Sequence, residues 1–328
     1  MAKYSNTLGG LDLENANAVN PITVNHETPK QIKRPPVTLE VLKLKEETNM
    51  DALQKQHIVD LFVWVDDALA SAGQTELKDA NKGGRPPALR DSELLTILIW
   101  DGLNEPHKTL KAVHSWIRRD YPDYFPKLPK YQNFVAHCHR LLPAMIWLLQ
   151  SLLRYDAQLR FADSTMLEVS RNHRADHHKV ARSVAAWGKN WQGWHFGFKL
   201  HASIDQNNNL TGICFTPADG YDAQSMEQLT KGATKVLVGD SHYGASPMRR
   251  RLWKKHGIIV IAPPHYKQRT KVMSGLQFLL LNMRSKIEAT FDYLKEHMHL
   301  VSSFPRSVQG YFVHYLRTLL GYQVRRVS

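Results

Sequence analysis

Lys235-Val236-Leu237-Val238-Gly239-Asp240 reads as a short buried strand that ends in a carboxylate. Its apolar run is unbroken, as in a strand covered on both faces, and glycine punctuates its end. Downstream, residues 246–256 form a basic helical pattern and Ile258–Ala262 a further buried strand. Upstream, Leu159-Arg160-Phe161-Ala162-Asp163 reads as another short strand with a carboxylate at its end. His195–Ile204 alternates, with Phe196, Phe198, Leu200, Ala202 and Ile204 on one side, as a half-buried strand does. Asp205–Asn209 is a turn and Leu210–Thr216 a returning strand, so the two make a hairpin. Residues 222–233 and 276–299 suit helices. The order is β, then a hairpin, then α-β-α-β-α. That predicts an α/β domain over 153–328, a mixed sheet flanked by helices.

The N-terminal half reads differently. Residues 1–36 are rich in Asn, Thr and Pro without periodicity and suit a flexible leader. Helices are expected at 37–71, 93–100, 108–119 and 131–151, with Asp91 or Ser92 as the cap of the second. Region 37–152 is thus a small all-helical domain, and DNA binding is one use for it. Lys82-Gly83-Gly84-Arg85-Pro86-Pro87 suits either a linker or a basic arm laid in a minor groove, with Arg85 as its contact.

The formal charge is +13 and the sequence pI is about 9.6. Residues 241–328 carry 15 Lys and Arg against Glu288, Asp292 and Glu296, a net of +12. So concentrated an excess points to a polyanion, and nucleic acid is the usual one. The two cysteines, Cys138 and Cys214, provide no disulfide framework, which fits a reducing cytoplasm. No apolar run is long enough for a membrane span, and Met1–Asn6 lacks a signal-peptide core.

Within the basic tail, Arg284-x3-Glu288-x6-Lys295 stands out. At about 100° per residue, all three fall on one helix face. Ile287, Phe291, Leu294 and Met298 make an apolar stripe that docks the helix. A carboxylate between two cations suits a metal ion beside a phosphate. It equally suits an exposed ion-paired face. Asp163 and Asp240 each end a strand, where open sheets place their sites. Each alone could be a turn or cap residue. Together with Glu288 they would repel one another unless a cation joins them, and hard oxygen ligands suit Mg2+ or Mn2+.

Four segments carry a family resemblance. They are Phe161-Ala162-Asp163-Ser164-Thr165, Gly197-Phe198-Lys199-Leu200-His201, Val238-Gly239-Asp240-Ser241-His242-Tyr243-Gly244, and Arg284-x3-Glu288-x6-Lys295. In this order they resemble a bacterial insertion-sequence transposase of the DDE type, most of all insertion sequence family 982. The likeness runs from about Gly84 to Tyr322. It implies an RNase H-like core with Asp163, Asp240 and Glu288 as catalytic metal ligands for Mg2+ or Mn2+. It implies that Arg284 and Lys295 handle DNA phosphate near the cleaved end. The partners implied are transposon ends and target DNA, with a homodimer or larger assembly to bring ends together. One departure is Leu281, where many relatives have tyrosine. Tyr243 is expected to pack beside the site rather than react.

Other residues compete for a role. Lys199 and His201 could reach the site from the second strand, contacting DNA, or be exposed edge residues. His173, His177, His178, His195 and the pair His137 and His139 around Cys138 match no common zinc spacing. With Arg171, Arg174, Lys179 and Arg182, the first group suits a DNA-facing loop. Trp187, Trp191 and Trp194 could stack on unpaired bases or cap a core. The function expected is cleavage at transposon ends and strand transfer into target DNA. The rivals are a nuclease that only hydrolyses and a non-catalytic DNA-binding derivative.

Overall fold

The computed structural model describes residues 7–8, 11–12, 50–71, 87–104, 106–190, 193–244, 246–264, 272–302 and 304–327. Arg85, Trp191 and most of the expected leader lie outside them, as does the stretch 37–49 of the first expected helix. Within 1–36 a two-stranded antiparallel ladder pairs β1 (Thr7–Leu8) with β2 (Leu11–Asp12). The chain divides into two compact units. One gathers Met1–Thr28, Leu153–Glu296 and Val301–Ser303. The other gathers Pro29–Leu152, His297–Leu300 and Phe304–Ser328.

The first unit is a mixed α/β structure. Its strands are β3 (Leu159–Glu168), β4 (Ala186–Asn190), β5 (Gly193–Ile204), β6 (Leu210–Pro217), β7 (Val236–Val238) and β8 (Ile259–Ile261). β5 runs antiparallel to β3, and β7 and β8 run parallel beyond β3. On its other edge β5 pairs first with β4 and then with β6, both antiparallel. The hairpin β5–β6 turns through Asp205, whose carboxylate accepts the amides of Asn207 and Asn209 at 2.8 and 2.9 Å. Asn208 takes the left-handed conformation that such a turn asks of it (φ 63°).

β5 departs from the half-buried strand expected. Residues Phe196–Ile204 are buried or nearly so on both faces, because the strand is central and both faces are covered. Helix α6 (Asp222–Leu229) packs on one side of β5 and β6. There Ala162, Leu237, Met226, Leu229 and Tyr243 share a core with Leu252 of α7 (Ser246–His256). Alternation puts Phe161 and Asp163 on the opposite face of β3 from Ala162. The β4–β5 hairpin occupies the stretch read in sequence as a tryptophan loop.

The helix expected over 276–299 is not one helix. It comprises α8 (Gly275–Asn282), α9 (Ser285–Asp292) and a π-helical turn over Tyr293–His297. At the junction, Arg284, Lys286 and Ile287 donate to residues three positions back. This local tightening interrupts the α-helical ladder. The apolar stripe does dock: Ile287, Phe291, Leu294 and Met298 are all buried.

The other unit is helical: α1 (Met50–Ser71), α2 (Asp91–Leu103), α3 (Leu110–Asp120), α4 (Tyr131–Arg140), α5 (Leu142–Leu152) and α10 (Val308–Val327). The helix expected over 131–151 is split at Leu141, because Pro143 has no amide to continue the ladder. Helix α2 starts with Asp91 inside it. Its cap position is Arg90, whose amide donates to Glu93 at 2.6 Å. Asp91 instead accepts from His137 (2.6 Å) and Arg140 (3.1 Å) of α4. The last helix, grouped in sequence with 153–328, packs on α2 and α5. Gly102 and Gly321 make that approach possible: a Cβ on Gly321 would stand 2.6 Å from the Gly102 Cα.

Candidate active site

Asp163 stands in mid-β3, and Glu288 projects from α9. Arg284 joins them. Its Nη1 donates to Asp163 Oδ2 at 2.8 Å, and its Nη2 donates to Glu288 Oε1. Asp163, 121 positions before Arg284, and Glu288 are thus held by one guanidinium, which suits bidentate contact with carboxylates. The other oxygen of Asp163 accepts the Ser164 amide at 2.8 Å.

Asp240 follows the end of β7. Its Oδ1 accepts the His242 amide at 2.9 Å and its Oδ2 meets His242 Nδ1 at 3.0 Å, which raises the His242 pKa. Gly239 is required next to it. A Cβ there would lie 2.8 Å from the Cβ of Tyr243, whose ring is buried against this turn. Burial keeps the Tyr243 phenol protonated, with its pKa well above the ordinary value. That fits packing rather than reaction.

Asp163 feels the other two carboxylates. Burial first, and then the charges of Asp240 and Glu288, push the Asp163 carboxyl up to about 6, against the opposing pull of the Ser164 amide and Arg284. Three hard oxygen donors, two of them already held by one guanidinium, form a donor set suited to a hard divalent ion. Among the described residues, no three His, Cys, Asp or Glu side chains are close enough together to hold a metal as they stand.

Residues 155–308 match the family model for the transposase DDE domain. The chain is similar to that domain over just under half of its length. Its enzyme class is that of the DDE-type transposases, whose partner is DNA and which use divalent metal ions.

Around these three carboxylates, the other expected residues fall differently. In register, Ala202 lies beside Asp163, and His201 beside Ser164. Lys199 and His201 therefore face the opposite side of the sheet from Asp163. Lys199 donates to the Gly220 carbonyl at 2.8 Å and to Asp222 at 3.3 Å. His201 is fully buried, bonded to Thr216 Oγ1 at 2.9 Å, with Asp222 at 3.3 Å from its other nitrogen. Burial lowers its pKa to about 4. Neither residue bonds Asp163, Asp240 or Glu288, although Lys199 acts on His242 of the Asp240 turn, and His201 has no surface to offer DNA. Asp222, which both approach, was missed in sequence. It looks there like the acidic first residue of a helix, which it also is.

Lys295 lies in the π-helical turn, which accommodates an extra residue and disturbs the α-helical face shared with Glu288. The carboxylates acting on its half-buried ammonium are Asp292, Glu168 and Glu296, while burial lowers its pKa. His195 of the histidine group bonds Glu168 and, at 2.8 Å, Asn190. Trp187 packs on Phe196 at 5.5 Å, and Trp194 is exposed with the Lys189 ammonium 5.6 Å from its ring centre. Among the described residues, no helix is long and apolar enough to cross a membrane.

Proposed function

We propose that the protein cleaves DNA at the ends of a mobile element and transfers the freed 3′-hydroxyl into target DNA. The observation that carries this reading is the Arg284 clasp between Asp163 and Glu288, with Asp240 close enough to act on Asp163. Asp163, Asp240 and Glu288 are the catalytic carboxylates. They would hold Mg2+ or Mn2+, which supplies activation of the attacking oxygen and stabilisation of the leaving one. In the absence of the ion, Arg284 balances the negative charge. With DNA bound it turns to the phosphate of the cleaved end, where a planar guanidinium is the favoured donor.

Lys295 contributes a second phosphate contact. Lys199 and His201 act indirectly, holding Gly220–Asp222 beneath the Asp240 turn. The helical unit, with the arm around Arg85, supplies binding to the element's ends, and two copies bring the ends together. A mixed sheet with one antiparallel strand next to the Asp163 strand supports an RNase H-like core. The ordered motif set supports membership of insertion sequence family 982.

The test is Glu288→Gln, a change that keeps size and removes charge. Cleavage and strand transfer on a DNA substrate bearing element ends should fall by at least about three orders of magnitude, the scale of a lost essential group. Binding of the same DNA should persist. A variant that still cuts would overturn the assignment. Cleavage without transfer by the wild-type protein would leave a nuclease.

A further inference from the structure

Helix α7 begins six residues after Asp240 and runs beside β8, the last strand on that side of the sheet. Between them lies an open groove of about 430 Å3, lined by Arg249, Arg250, Trp253, Ile258, Ile259 and Val260. At about 100° per residue, Arg249, Trp253 and Arg250 fall within one arc of roughly 100° on the helix. Leu252 and Met248, on the other face, anchor α7 in the sheet core. Trp253 is 58% exposed and Ile259 49% exposed.

The chemistry of the groove is one-sided. No Asp or Glu occurs between Ser241 and Ala262. Arg251 spends its charge on Glu227 at 2.8 Å. Among the described residues, neither Arg249 nor Arg250 has a carboxylate within ion-pair distance. Two guanidiniums thus border an indole face that the fold leaves in water. A large exposed aromatic between uncommitted arginines does nothing for the core beneath, which Leu252 already fills.

We infer that this groove binds an unpaired segment of DNA, with a base stacked on Trp253 and the flanking phosphates held by Arg249 and Arg250. Guanidiniums pair bidentately with phosphate oxygens, and an aromatic face accepts any base. A paired base has both faces covered by its neighbours in the helix, so an indole this exposed selects single strands over duplex. β8, which forms one wall of the groove, pairs with β7, whose end leads to Asp240. A strand separated from its duplex would have a place to lie here. The inference rests on the transposase reading for its purpose but not for its test.

The experiment uses the full chain carrying Glu288→Gln, without divalent metal, so that binding is measured apart from cleavage. Fluorescence anisotropy compares a labelled oligothymidylate with a labelled duplex. Adding Trp253→Ala should weaken oligothymidylate binding about tenfold, the scale of one stacked base, and leave duplex binding unchanged. Trp253→Phe should restore most of the loss. Arg249→Ala with Arg250→Ala should weaken oligothymidylate binding and flatten its salt dependence. Unchanged oligothymidylate affinity in Trp253→Ala, or equal losses on single strand and duplex, would overturn the inference. Either result would leave the cleavage test of Glu288 untouched.

Discussion

Asp163 carries two opposed influences, and their balance can be measured. Burial and the neighbouring carboxylates raise its pKa to about 6, whereas an unfolded aspartate titrates near ~3.9. Between those values the folded chain keeps a proton that the unfolded chain has released. This contribution to stability is present at low pH and lost as pH rises through about 6. In metal-free urea denaturation, the wild type should therefore lose stability relative to Asp163→Asn between pH 4 and pH 7. A difference that stays flat would mean that Asp163 is not held as described. Arg160 makes a second case. It is fully buried in β3 and donates to the carbonyls of Ala157, Thr211, Leu229, Tyr155 and Lys231 at 2.7–3.1 Å. Arg160→Met strands these acceptors and should cost about 3 kcal/mol or more in urea denaturation. In sequence it is only a charge between Leu159 and Phe161; no local pattern reveals that five carbonyls converge on it.

At the scale of elements, legibility followed periodicity. β5 and the docking stripe of α9 are readable because each repeats its apolar residues at the period of its structure, and α7 because its basic run follows a strand ending in a carboxylate. Others were not. β4 reads as loop in the sequence because Trp187 and Lys189 sit on a partly exposed strand with a glycine between them. The junction at Met283–Arg284 and the π-helical turn at Tyr293–His297 keep helical composition while shifting the face, so an ideal-helix wheel placed Lys295 beside Glu288 too simply. The same alternation that found β5 also governs Lys199 and His201. Their side of the sheet relative to Asp163 depends on register, which sequence does not give. The contact of α2 with α10 rests on two glycines far apart in the chain. Gly321→Ala would press a methyl against the Gly102 backbone and should destabilise the helical unit by about 1–3 kcal/mol. Urea unfolding followed by helical circular dichroism measures this; an unchanged midpoint would contradict the close approach.

For the molecule as a whole, the charge distribution and the order of the carboxylates were the most informative features of the sequence. The +12 on residues 241–328 points to DNA, and the DDE domain match over residues 155–308 agrees with it. Sequence could name Asp163, Asp240 and Glu288 from their order and from apolar runs ahead of both aspartates, although β3 continues past Asp163 to Glu168. It could not show that Arg284 would hold two of them together, because that contact spans 121 positions. The central claim is that these three side chains form one metal-dependent site for DNA cleavage and transfer. The most direct measurement is a crystal of the protein with element-end DNA and Mn2+, examined for anomalous scattering. A peak bonded to Asp163, Asp240 and Glu288, with Arg284 released onto a DNA phosphate, is the expected result. Bound DNA with no peak there, and Arg284 still clasping Asp163 and Glu288, would contradict it.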